Sequence, residues 1–123
     1  MTCLVAGKSP DSVVSAVMQM AGVTKVIVAQ NECYDHNLPE VYSPLIVAAQ
    51  KAGSFTHVVA AHSAFGKNVL PRVAAVLDVA QVSDVLAVES PDTFVRSIYA
   101  GMCFPLANLP EVENLRFFGS RRR

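Results

Sequence analysis

Gly7-Lys8-Ser9 is the first run of residues whose types could do chemistry, because it has the last three letters of a phosphate-binding P-loop. It stands between a predicted strand and a predicted helix, as a P-loop does. The complete motif also requires a glycine five positions earlier, where this sequence has Thr2, and a longer loop around the phosphates. We therefore interpret the run as an ordinary turn before a capped helix.

Gly66-Lys67-Asn68 is a second candidate, because it follows a predicted strand at its carboxyl end. Open α/β sheets bind ligands at that edge. Lys67 could face an anion at the N-terminus of the next helix. Lys67 and Arg72 could instead form ion pairs at an interface, which is the interpretation that we favour.

The three histidines, His36, His57 and His62, lack the spacing of metal ligands. We expect His57, at the start of a strand, to be structural. His62, at the carboxyl end of that strand, is the histidine whose functional role we would test. No arrangement of nucleophile and base can be proposed from sequence neighbours alone. The remaining candidate carboxylates look like helix-end, turn and surface groups: Asp78, Asp84, Glu89 and Asp92. No catalytic, cofactor-binding or metal residue is assigned.

Composition excludes several classes of protein. With 123 residues, 52% of them hydrophobic and 16% charged, the chain is long enough for one domain with a real core and is not a disordered segment. Ten basic residues balance ten acidic ones, and the single basic cluster is the tail Arg121 to Arg123, so nucleic acid is not an expected partner. No membrane span or signal peptide is visible. The three separated cysteines fit reduced thiols in an intracellular compartment.

Helical periods identify three helices. Ser9 is the predicted N-cap of the first, with Pro10 at its first position and Gly22 after its end. Ser43 and Pro44 are predicted to start the second, and Gly53 to close it. The third presents Leu70, Val73, Ala74 and Leu77 on one face, and Pro71 predicts that it begins close to Asn68 or bends there.

Short apolar runs alternate with these helices and predict strands. They are Cys3 to Ala6, Lys25 to Ala29 and His57 to Ala61. From Asp84 the period changes to two, and we expect a β-hairpin with arms Val85 to Glu89 and Thr93 to Tyr99 around Ser90-Pro91-Asp92. Leu115 to Phe118 could add one strand. The fold class is therefore α/β, with a mainly parallel sheet covered by helices and a C-terminal β-hairpin.

The stretch SAFGKNVLPRVAAVLDVAQVSDVLAVESPDTFVRSIYAG, from Ser63 to Gly101, closely resembles the α subunit of electron transfer flavoproteins. The segments CLVAG, GVTKVIVAQ, LPEVYSPLIVAAQKAG and THVVAAHSAFGKN resemble the same family in the same order. The resemblance implies a Rossmann-like, three-layer domain of the adenine nucleotide α-hydrolase-like kind over residues 1–118, followed by a basic tail at 119–123.

For function, the resemblance implies a heterodimer of α and β subunits with one FAD and with an AMP in the β subunit. It implies electron flow from acyl-CoA and other flavin dehydrogenases to a membrane quinone oxidoreductase, in the mitochondrial matrix or in bacterial cytoplasm. The part matched here is expected to dock onto the β subunit as a scaffold. No FAD-binding residue maps onto this chain, which is expected to bind no flavin alone.

The sequence also departs from the family. The resemblance implies that the first strand and helix of the family and its C-terminal FAD domain are not part of this stretch, and Met102 stands where the family usually has Asn. Without a central first strand, open sheet edges should make the isolated chain marginally stable or drive association with a partner. Two alternatives stay open: a stand-alone adenine-nucleotide-binding module that uses His62, Lys67 and Asn68, and a product with no activity.

Overall fold

The computed structural model describes residues 1–98, 103, 105–108 and 116–120. The chain folds into two compact units, Met1–Val41 and Tyr42–Arg123. The regular elements in chain order are β1 (Thr2–Gly7), α1 (Asp11–Met18), β2 (Lys25–Gln30), α2 (Pro39–Gly53), β3 (His57–Ala61), α3 (Ala64–Leu77), β4 (Gln81–Ser90), β5 (Thr93–Arg96), β6 (Leu106–Asn108) and β7 (Arg116–Ser120).

The first unit is a strand–helix–strand arrangement. β1 and β2 pair in parallel, in a register that runs from Thr2 opposite Lys25 to Gly7 opposite Gln30. The prediction of Ser9 as N-cap was wrong, because Pro10 occupies the N-cap position and offers no side-chain cap. α1 therefore begins one residue later than predicted. Gly22 is left-handed as predicted, at φ 87°, but it lies beyond a turn that follows the end of the helix.

The first unit has almost no buried interior of its own. Pro10 is its one buried residue, and every residue of β1 is only half-buried. Val14 and Val17 of α1 are half-buried, whereas Val13 and Met18 are exposed. Much of the apolar surface of this unit is therefore left to be covered by something else.

The predicted start of α2 at Ser43 and Pro44 was wrong. The helix begins at Pro39, and Pro44 lies inside it. Proline is well suited to a first helical position, since its nitrogen has no hydrogen to lose there. Pro44 cannot donate to the carbonyl of Glu40, and this loss is compensated by burial of the neighbouring Tyr42, whose ring meets Phe65 edge-on at 4.8 Å.

α3 begins at Ala64, so the predicted start close to Asn68 was wrong, and the alternative of a bend there stays a prediction. The Oγ of Ser63 accepts from the amide of Gly66 and caps the helix, and Pro71 is accommodated inside it. The predicted apolar face is confirmed at Leu70, Val73 and Ala74, which are buried together with Val69. Their burial explains why the helix tolerates an interior proline.

The second unit contains a five-stranded sheet in the order β3-β7-β4-β5-β6. β3, β7 and β4 are parallel, β5 is antiparallel to β4, and β6 is antiparallel to β5. α3 packs against β3, β7 and β4. The predicted α/β fold with a parallel sheet and a C-terminal hairpin is confirmed, whereas the three-residue β6 was not predicted. β5 ends at Arg96, short of the predicted end at Tyr99, and Ile98 forms only an isolated bridge with Cys103. Tyr99 itself and the predicted start of the last strand at Leu115 lie outside the described residues.

β4 is strongly bent at Asp84, whose backbone is left-handed at φ 56°. Its register shifts against β7 between Val82 and Val85 and against β5 between Val85 and Ala87. Gln81 lies level with the start of β3. If β4 were straight, Ser90 would lie about 30 Å further along the sheet. The carbonyl of Pro91 nevertheless lies 3.0 Å from the Nε2 of His57, so the tip of the hairpin folds back toward that start.

Phe94→Ala is predicted to lower the free energy of unfolding by about 3–5 kcal/mol, because Phe94 is 0% exposed and packs with Val82, Val85 and Ala107. Val88, which pairs with Phe94 across the hairpin, is 53% exposed, and Val88→Ala should change stability by only about 0.5 kcal/mol. Urea denaturation followed by circular dichroism measures both. Equal losses in the two variants would contradict this assignment of the core.

Gly66→Ala is predicted to destabilise the chain by about 1–3 kcal/mol or more, because a Cβ on Gly66 would collide with the carbonyl oxygen of Ala61. Gly53→Ala is the matched control, since a Cβ there meets only the movable ring of Phe55 and the substitution favours the helix. Thermal unfolding should separate the two variants by several degrees. Parent-like melting of Gly66→Ala would show that α3 does not need its close approach to β3.

Candidate functional site

A polar site of the second unit lies at the carboxyl ends of its parallel strands. Ala61 ends β3 opposite Ser120 of β7, and Val85 of β4 pairs with the same Ser120. His62 follows β3 directly, and Asp84 precedes Val85. The two side chains therefore come from strands that are not neighbours and meet at the edge where α/β sheets bind ligands.

His62 and Asp84 are in close polar contact. The Nε2 of His62 lies 2.8 Å from the Oδ1 of Asp84, and the two side chains are 8% and 29% exposed. The ring N–H direction misses the carboxylate, so Nε2 has no hydrogen-bond partner within the described part of the chain. We therefore treat the pair as a close contact of polar groups and not as an aligned hydrogen bond.

The bend of β4 brings Asp84 to His62. Left-handed backbone is uncommon outside glycine, although aspartate tolerates it better than most residues. Bulges of this kind often redirect a side chain at the end of a sheet. The expectation that Asp84 is a plain turn or surface carboxylate was therefore wrong, because it is mostly buried and contacts a buried imidazole.

The start of α3 supplies the second part of the site. Gly66 lies so close to Ala61 that no side chain fits, and its amide is held by the cap at Ser63. Lys67 and Asn68 follow in the first turn and are exposed. That Lys67 and Arg72 form ion pairs at an interface stays a prediction.

The geometry argues against a catalytic relay at His62. Its neighbour Ser63 uses its Oγ to accept from the amide of Gly66, and the Nε2 of His62 has no hydrogen bond to it. A histidine activates a serine only when the two are joined by such a bond. The His62–Asp84 pair therefore has a base and a carboxylate but no nucleophile joined to them among the described residues.

The Gly7-Lys8-Ser9 turn is tied to the end of β2. The Nε2 of Gln30 donates to the carbonyl of Lys8 at 3.1 Å, and the amide of Asn31 donates to the carbonyl of Gly7 at 3.2 Å. The Nζ of Lys8 pairs with the exposed Glu32 at 3.3 Å. These contacts use the lysine within the chain, as expected of an ordinary turn and not of a phosphate-binding loop.

The other histidine singled out, His57, bridges two segments of the second unit. Its Nδ1 lies 3.0 Å from the Oγ1 of Thr56, and its Nε2 lies 3.0 Å from the carbonyl of Pro91. Because a carbonyl can only accept, Nε2 carries the proton and donates to Pro91. These bonds support the structural role predicted for His57.

Sequence reasoning missed one further polar contact beside the site. The Nη2 of Arg96 donates to the Oγ of Ser83 at 3.4 Å, while the buried Nε of Arg96 has no partner among the described residues. Arg96 pairs with Val85 across the hairpin, directly after the bend. The period-two pattern of the second arm identified the strand but carried no signal for this contact.

The described residues contain no group of three potential metal ligands and no helix long and apolar enough to cross a bilayer. Cys3, Cys33 and Cys103 are free thiols. The basic tail at residues 121–123 lies outside the described residues.

Comparison with known proteins identifies the relatives of this chain. The model of the electron transfer flavoprotein domain matches residues 1–107. The electron transfer flavoprotein subunit alpha of Pseudomonas aeruginosa is 51% identical over 98 residues, which cover 80% of this chain and 31% of the relative. The probable mitochondrial subunit alpha of Caenorhabditis elegans is 49% identical over 98 residues, or 80% of this chain and 30% of the relative.

A third relative, the electron transfer flavoprotein subunit alpha of Paracoccus denitrificans, is 46% identical over 100 residues, or 81% of this chain and 32% of the relative. The chain thus spans about a third of the length of the curated relatives that it matches. A family model that covers most of the chain, together with these identities, shows that the chain belongs to the electron transfer flavoprotein family and that the relatives it matches are α subunits.

Proposed function

We propose that this chain is the scaffold of an electron transfer flavoprotein α subunit and docks onto a β subunit. Residues 1–118 belong to the N-terminal α/β domain in this proposal. The observation that carries it is the match of the family model to residues 1–107, with about half of the residues identical to α subunits. The chain acts as part of an electron carrier and not as an enzyme.

In the assembled protein, FAD carries the electrons. The flavin accepts them from acyl-CoA and other flavin dehydrogenases and passes them to a membrane quinone oxidoreductase, in fatty-acid and amino-acid oxidation. The β subunit holds a structural AMP. The flavin is held by residues other than those described here, and this chain supplies the base on which the subunits meet. The matched relatives carry bacterial and mitochondrial names, which supports bacterial cytoplasm or the mitochondrial matrix as the place of action.

The surface of the first unit supports the docking role. None of the large hydrophobic side chains of Met1–Val41 is buried, and Val13, Met18, Met20 and Val28 are all exposed. Exposed apolar side chains are common at sites of protein–protein contact. Flexible methionines adapt well to such contacts. We therefore assign the partner-facing surface of this chain to the first unit.

The alternative of a stand-alone adenine-nucleotide module is less well supported. It needs a phosphate at the start of α3, near His62, Lys67 and Asn68. The carboxylate of Asp84 lies 2.8 Å from His62 and would repel that phosphate. Calorimetric titration of the chain with AMP and ATP separates the two proposals, because the scaffold proposal expects no binding with a stoichiometry of one.

Met18→Lys is predicted to reduce recovery of a co-expressed β subunit by about tenfold or more, because a lysine amine would be buried without a partner in an apolar contact. Met18 is 68% exposed, so the isolated chain should unfold as before. The adjacent, exposed Gln19 provides the matched control, Gln19→Lys, which should retain the β subunit.

Affinity purification with quantitative mass spectrometry measures recovery of the β subunit, and circular dichroism measures unfolding. Equal recovery of the β subunit by parent and Met18→Lys would show that Met18 does not lie in the interface, which contradicts the assignment of this surface. Failure of the parent itself to retain a β subunit would contradict the scaffold proposal.

A further inference from the structure

We propose that His62 and Asp84 form a binding site for a divalent transition-metal ion of the Ni²⁺ or Cu²⁺ type, with water in the remaining coordination positions. The site lies within the second unit, where His62 follows β3 and Asp84 interrupts β4. The proposal is independent of the scaffold role and of the docking surface assigned to the first unit.

The imidazole of His62 is buried without a partner for its outer nitrogen. The side chain is 8% exposed, and Nε2 makes no hydrogen bond within the part of the chain that the structure describes. A buried nitrogen in this state destabilises the folded chain, and a bound ion or water is a common way in which such a group is satisfied. The same contact depends on the left-handed backbone of Asp84, and strained backbone of this kind concentrates at functional sites.

The distance between the two ligand atoms distinguishes one class of metal ion from another. The Nε2 of His62 lies 2.8 Å from the Oδ1 of Asp84. Two atoms bound at about 2.0 Å to one ion are this far apart when the angle at the ion is about 90°, whereas a tetrahedral angle requires about 3.3 Å. A right angle between nitrogen and oxygen ligands is typical of Ni²⁺ and Cu²⁺, and a tetrahedral angle is typical of Zn²⁺.

The same geometry accounts for the missing hydrogen bond between the two side chains. In a right-angled site with equal bond lengths, the lone pair of the ring nitrogen points at the ion, about 45° away from the line to the carboxylate oxygen. A donor that misses its acceptor by this much makes a poor hydrogen bond. The close but misaligned contact of His62 with Asp84 is therefore what two ligands of one ion would show.

The charge and exposure of the pair also suit a cation. The carboxylate of Asp84 carries a full negative charge, whereas the N-terminus of α3, which follows His62, has only about half a positive charge. Asp84 is 29% exposed, so that an ion can enter from solvent. The described residues offer no group of three histidine, cysteine or carboxylate ligands, and water therefore completes the coordination.

A bound ion would join two strands that are not neighbours, because β7 lies between β3 and β4. An ion that binds the folded chain and not the unfolded chain stabilises the fold by mass action. We therefore expect the melting temperature to rise by several degrees when Ni²⁺ is present in large excess over its dissociation constant.

The experiment titrates the complete chain with nickel chloride and follows the amide signals by nitrogen-15 NMR. The protein carries no polyhistidine tag, and its three cysteines are replaced by serine because thiols also bind such ions. At about pH 7.5 an ordinary imidazole is neutral and free to bind. Because Ni²⁺ is paramagnetic, we expect it to broaden the amide signals of Ala61, Ser63 and Val85 first, with about one ion per chain.

His62→Ala should weaken Ni²⁺ binding at least tenfold and abolish both the broadening at these amides and the rise in melting temperature. Asp84→Asn should weaken binding about tenfold, because the charge is lost while asparagine still tolerates left-handed backbone. His36→Ala is the matched control, since His36 is an exposed histidine of the first unit, and this variant should bind as the parent does. Zn²⁺ should bind more weakly than Ni²⁺.

The proposal is overturned if Ni²⁺ leaves the amides around His62 unchanged, or if His62→Ala binds the ion as tightly as the parent. Loss of binding in His36→Ala would also overturn it, because the ion would then occupy an adventitious surface site. Tighter binding of Zn²⁺ than of Ni²⁺ would contradict the right-angled geometry. If His62→Ala does not fold, Asp84→Asn decides alone, and unchanged binding in that variant rejects the site.

Discussion

The left-handed backbone of Asp84 is the constraint on which the second unit depends. It divides β4 into a part that runs parallel to β7 and a part that forms the antiparallel hairpin with β5. The same bend brings the carboxylate of Asp84 to His62 and the tip of the hairpin to His57. A straight β4 would lose both contacts, because its far end would project about 30 Å beyond the start of the sheet. One backbone angle therefore links the parallel sheet, the hairpin and the candidate site.

The sequence predicted the features that local residues decide. β2 and β3 are β-branched runs between helices. The hairpin is predicted by side chains that alternate with a period of two on either side of Ser90-Pro91-Asp92. The starts of α2 and α3 were predicted too late, because Pro44 and Pro71 were assigned to first turns. An interior proline costs about 3 kcal/mol, and burial of neighbouring side chains such as Leu70 and Val73 outweighs it.

The candidate site could not be predicted because it is made by long-range pairing. His62 was singled out from its place after β3, but nothing near it in the sequence points to Asp84. Their strands are separated by β7, which comes from near the end of the chain. Aspartate can also adopt left-handed backbone without a glycine or another characteristic residue beside it. The hydrophobic pattern of the sequence therefore did not predict the bend at Asp84. Resemblance to a family gave the functional expectation, whereas only the structure reveals this contact.

The proposed scaffold role rests on features of each unit. The first unit exposes apolar side chains that a partner would cover, and the second has its core in α3 and in the cluster around Phe94. The direct test is the visible absorption of the purified chain after incubation with excess FAD and removal of unbound flavin. We predict no band near about 450 nm, the absorption of oxidised flavin. A retained band with about one flavin per chain would contradict the scaffold account.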